Sequence, residues 1–149
     1  MLHLEFNSDS ENEGIARIVT AAYIMKFDPD MEEMDDIKTA VSEAVTNCIV
    51  HAYHDPDGKI SMDLSDQNGI LRIEIKDQGI GIPDVKKAME PMFTTKPEEE
   101  RTGMGFSFME AFMDTVANPS FSDLLSKRIS ISLFCVLLAS ITFPPHKSA

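Results

Sequence analysis

A chain of 149 residues holds one domain with a respectable core and is too short for a multi-domain machine. Its 43% apolar and 26% charged content is that of an ordinary soluble globular protein, although ten Met and no Trp are unusual. The net charge is −12, and residues 1–116 hold 24 acids against 10 bases, which argues against direct nucleic-acid binding and favours a basic protein surface as partner.

Leu2, Leu4 and Phe6 alternate with His3, Glu5 and Asn7, the period-two pattern of a half-buried strand. This opening lacks the basic start and apolar core of a signal peptide, and Cys48 and Cys135 are too few for a disulfide framework or zinc site. A reducing, cytoplasmic setting is expected. A first helix is predicted to start at Ser8 or Ser10, either of which can cap it, with Glu11 and Glu13 at the positive end of its dipole. Ile15, Ile18, Val19, Ala22 and Tyr23 recur at helical spacing and are the expected buried face, with Arg17 off it.

Asp28-Pro29-Asp30 ends that helix and starts another, because proline disfavours helix at the residue before it. The second helix is predicted over Met31 to Tyr53, with Ile37, Val41, Ala44, Val45, Cys48 and Ala52 toward the core. Glu43, Asn47 and His51 step by four and form one polar stripe beside the apolar one. Taken alone, such a stripe is more often a solvated face than a site.

Asp55-Pro56-Asp57-Gly58 is turn chemistry, Lys59 to Leu64 reads as a strand, and Gln67-Asn68-Gly69 is a hairpin turn into Leu71, Ile73 and Ile75. That strand delivers Asp77 to Asp77-Gln78-Gly79-Ile80-Gly81, where glycines let bare backbone approach a ligand. The polar stretch from Met92 to Arg101 is long enough to be a lid. Gly103-Met104-Gly105 then opens a predicted apolar helix, Phe106 to Val116, whose free amides suit an anion. From Ala117 the chain changes character. Ile129 to Pro145 is uncharged, too short and too polar to span a membrane, and reads as a buried strand or an aggregation-prone segment.

In this order, over about residues 1–116, the three motifs resemble the nucleotide-binding pocket of the GHKL ATPases, the superfamily of gyrase, Hsp90, histidine kinases and MutL. Ser42-Glu43-Ala44-Val45-Thr46-Asn47, Met92-Phe93-Thr94-Thr95-Lys96 and Arg101-Thr102-Gly103-Met104-Gly105-Phe106 are similar to the short form found in the anti-sigma-F factors of spore-forming bacilli. The resemblance implies a two-layer α/β sandwich, its sheet mixed but mostly antiparallel, with helices on one face. It also implies a homodimeric protein serine kinase that binds a sigma factor and phosphorylates an anti-anti-sigma protein, using ATP and Mg²⁺.

On this resemblance Glu43 is the general base, Asn47 holds Mg²⁺ and Asp77 accepts from the adenine amino group. Gly79 and Gly81 approach base and ribose, while Thr94, Thr95, Lys96 and Arg101 close on the phosphates and Gly103 and Gly105 offer them amides. Arg17, alone among acids on a surface with no part in the pocket, is the expected partner contact. The tail, 117–149, departs from the family: no Gly-Thr pair follows Gly105, and a change of reading frame would account for the switch. A second reading, a nucleotide-dependent sigma-binding module without kinase activity, therefore stays open. A detached histidine-kinase domain fits less well, since no helical hairpin with a phospho-accepting His precedes the pocket.

Overall fold

The computed structural model describes residues 1–53, 56–67, 70–81, 107, 111, 115–117 and 136–142. Strand β1 (Leu2–Asn7) leads through helix α1 (Glu11–Ile24) and a 3₁₀ turn (Met25–Phe27) to helix α2 (Met31–Asn47), which passes into a π-helical turn (Cys48–Ala52). Strands β2 (Lys59–Gln67), β3 (Ile70–Asp77), β4 (Thr115–Ala117) and β5 (Val136–Thr142) follow. The sheet order is β1-β2-β3-β5-β4, and every described ladder is antiparallel.

Alternation places Ile60, Met62 and Leu64 of β2 and Leu71, Ile73 and Ile75 of β3 in the core, where they share one cluster with Ile37, Ala40, Val41, Ala44, Val45 and Cys48. Each large apolar side chain so buried contributes about 2 kcal/mol, against less than about 1 for an exposed ion pair, so apolar burial seats α2 on the sheet. The expected core positions of α2 are all buried. Its start is a capping box: the Glu33 N–H donates to Asp30 Oδ1 at 2.9 Å and the Asp30 N–H to Glu33 Oε2 at 3.0 Å. Its end differs from expectation, because the α-helix stops at Asn47, the turn widens, and Tyr53 is extended.

Helix α1 is turned relative to the predicted face. Ala16, Thr20 and Ile24 are buried, Val19 and Tyr23 are half-buried, and Ile15, Ile18 and Ala22 are exposed. The small Ala16 and Thr20 permit close approach to the core, and the Thr20 hydroxyl is satisfied by the Ala16 carbonyl at 2.9 Å. Periodicity marked the bulkier stripe, whereas packing selected the smaller one. Of the two serines expected as caps, Ser10 stands at the N-cap without a side-chain cap hydrogen bond, and Asp9 Oδ1 accepts from the Glu11 N–H at 2.9 Å.

The tail supplies β5, which pairs with β3 along Ile70↔Thr142 to Lys76↔Val136. The predicted helix over Phe106 to Val116 ends earlier than expected, since Thr115 and Val116 belong to β4. Among the described residues no helix is long and apolar enough to cross a membrane.

Candidate functional site

Glu43 and Asn47 lie one turn apart on α2, half-buried beside the core stripe of Ala44, Val45 and Cys48. His51 falls within the π-helical turn that follows them. Asp77 ends β3 opposite Ile60 and is 1% exposed.

The chain beyond Asp77 is docked onto the π-helical turn that follows α2. The Ile80 N–H donates to the Ala52 carbonyl at 2.9 Å, and the Gly79 N–H to Asp77 Oδ1, also at 2.9 Å. A Cβ on Gly79 would stand 2.0 Å from the Ala52 oxygen, so close backbone approach requires glycine here. Gly81 has φ 70°, in the left-handed region where glycine is at ease. Ile80 is 59% exposed beside them.

Tyr53 is the residue that sequence reasoning missed. Its hydroxyl accepts from the Gln78 N–H at 2.6 Å and donates to the Lys59 carbonyl at 2.5 Å, while its ring fills the space beside Gly58. Burial, first, and the charge of Asp77 push its pKa up, partly offset by the Gln78 and Lys59 hydrogen bonds. A tyrosine three positions before Pro56-Asp57-Gly58 was the available signal.

The arrangement offers a buried carboxylate at a strand end, a rigid glycine turn, and a carboxylate and carboxamide on the adjoining helix. A buried carboxylate suits an amino donor. No group of three or more His, Cys, Asp or Glu able to hold a metal occurs among the described residues. Asn47, a neutral hard oxygen donor, fits an ion that keeps most of its shell as water and phosphate, as Mg²⁺ does. Thr94, Thr95, Lys96, Arg101, Gly103 and Gly105 lie outside the described residues. Arg17 is on α1, on a different element from the turn and α2, and its Nη1 is 3.8 Å from Glu13 Oε1.

Residues 6–124 match the model of the histidine kinase-like ATPase domain. The chain is 51% identical over 116 residues to the anti-sigma F factor of Geobacillus kaustophilus (strain HTA426), covering 77% of this chain and 80% of that protein. It is 44% identical over 137 residues to the anti-sigma F factor of Bacillus subtilis (strain 168), covering 88% and 94%. In fold it is similar to the catalytic domain of histidine kinase ThkA, with TM-score 0.57, 20% identity and coverage of 96% and 97%.

Proposed function

The chain belongs to the histidine kinase-like ATPase family, among the anti-sigma F factors, and from that premise we propose that it holds a sigma factor and transfers the γ-phosphoryl group of ATP to a serine of an anti-anti-sigma protein. The observation that carries the nucleotide reading is the buried Asp77 at the start of a turn bonded to Ala52, in the π-helical turn that continues the helix bearing Glu43 and Asn47. Asp77 accepts from the adenine amino group, which favours adenine over guanine. Glu43 takes the proton of the serine hydroxyl as it attacks. Mg²⁺, held through the Asn47 amide oxygen, would neutralise charge on the phosphates when bound. Thr94, Thr95, Lys96 and Arg101 close over the phosphates, and the amides of Gly103 and Gly105 face them.

Asn47→Ala is expected to abolish Mg-dependent ATP binding by calorimetry while leaving thermal unfolding unchanged, because the apolar face of α2 is untouched. Glu43→Gln is expected to bind ATP and lose serine phosphorylation by about 100-fold or more. Unchanged Mg-ATP affinity in the first variant would remove the pocket assignment. A wild type that binds ATP and sigma factor yet phosphorylates nothing would leave the binding-module reading.

A further inference from the structure

Consecutive amides after Asp77 each have a fixed acceptor: Tyr53 Oη for Gln78, Asp77 Oδ1 for Gly79 and the Ala52 carbonyl for Ile80. Of these acceptors, only the Tyr53 hydroxyl is a side chain from outside the glycine motif. We propose that Tyr53 is a positioning residue that aims the Asp77 carboxylate through the Gln78 backbone and so sets the selectivity of the site for the adenine amino group. The proposal rests on the reading of Asp77 as the base contact.

The geometry gives Tyr53 this reach. It is the first residue past the π-helical turn, with extended φ −126° and ψ 152°, so the chain leaves α2 and the ring folds back over Gly58. A Cβ there would meet the ring at 2.3 Å, so Gly58 makes room for it. A phenol has one hydrogen and two lone pairs, enough to donate to Lys59 while accepting from Gln78. Lys59 precedes Ile60, the register partner of Asp77. One oxygen therefore ties the start of β2 to the end of β3, and the ring behind it is continuous with the end of α2.

Removing that oxygen frees the Gln78 peptide. The Gly79 amide is the next peptide along, and it is what holds Asp77 Oδ1. A carboxylate recognising one amino group tolerates little rotation, because hydrogen bonds weaken steeply off axis. The loss falls on the amino contact and spares the phosphate contacts.

Tyr53→Phe tests this with two Mg-nucleotides titrated by calorimetry against the full chain: ATP, and purine riboside triphosphate, which lacks the 6-amino group. The variant is expected to bind ATP about 5-fold more weakly, the size of one ordinary hydrogen bond, and the amino-free analogue as the wild type does. Equal weakening toward both nucleotides, or none toward either, overturns the proposal, since a residue that merely holds the fold would not separate them. Amide exchange of the nucleotide-free wild type gives a check that needs no variant: a protected Gln78 amide is expected, and an unprotected one overturns the geometry. Failure of the Asp77 reading shows itself separately, as a wild type that does not distinguish the two nucleotides.

Discussion

Gly79 has no side chain because Ala52 occupies the place of one. Gly79→Ala would put a methyl 2.0 Å from the Ala52 carbonyl oxygen, backbone that cannot swing aside, so the turn must lift off the π-helical turn. Overpacking of this kind costs about 1–3 kcal/mol, and a lowered urea midpoint at unchanged slope is expected. A second residue-scale effect depends on pH. His3 Nδ1 lies 2.6 Å from Asp63 Oδ1, and this bond holds the Asp63 carboxyl below its usual range, against burial and with help from Lys76. As acid is added the unfolded chain takes up its proton first, so this contribution is complete above the ordinary carboxylate range and drains away as pH falls toward the folded value. Asp63→Asn is therefore expected to lower stability by about 0.5 kcal/mol near neutrality and by nothing measurable in strong acid, by denaturant titration at both. Asp77, Gly79 and Gly81 were legible as a motif because two of only seven glycines fall at alternate positions directly after a strand-ending acid, a pattern with few uses. Ala52 and Tyr53 were not, since their roles depend on contacts to Gly79, Ile80 and Gln78 that lie more than twenty positions away.

Helix α2 was readable almost throughout, because one wide apolar stripe leaves a single way to bury it. Helix α1 was not, because two adjacent stripes compete and the choice between them belongs to its neighbours. The stripe it leaves outside includes Ile15 at 49% and Ile18 at 69% exposed, on the helix that carries Arg17, and Met25 in the 3₁₀ turn that follows is 69% exposed. On the same helix Gly14 has nothing within 4 Å of where a Cβ would stand. Gly14→Ala is expected to stabilise the isolated chain by about 0.5–1 kcal/mol, read as a higher melting temperature. Arg17→Glu and Ile18→Glu are expected to weaken sigma-factor or anti-anti-sigma binding by about 5-fold or more in a titrated pull-down, with ATP affinity unchanged. If both variants bind both partners as the wild type does, this face is not the docking surface. The π-helical turn escaped sequence reading for a related reason: Cys48-Ile49-Val50-His51-Ala52 continues an α-helical pattern, and the Ala52 carbonyl is directed instead to Ile80.

At the scale of the molecule, the apolar tail was legible as strand material but not as to its place. Its strand β5 lies between β3 and β4 and is the partner of both. Removing residues 118–149 would open the β3 edge and strip β4 of its described partner. An open edge invites pairing with another chain, so the shortened protein is expected to scatter light at micromolar concentration and to unfold over a broader urea range than the full chain. A monodisperse shortened chain with the full-length urea slope would show that β5 is dispensable. The same strand order governs how the chain reaches this state. Gln67 and Ile70 pair across a two-residue connection, whereas Asn7 meets Lys59 across 52 positions and Lys76 meets Val136 across a comparable span. Closing spans of that length costs entropy before any contact repays it, so the β2–β3 hairpin and the α1–α2 pair can form from local encounters while both flanking ladders wait on long-range search. The barrier to folding thus lies in recruiting β1 and β5 to a hairpin already formed, and the Asp77 turn at that hairpin's end matures only when its neighbours arrive.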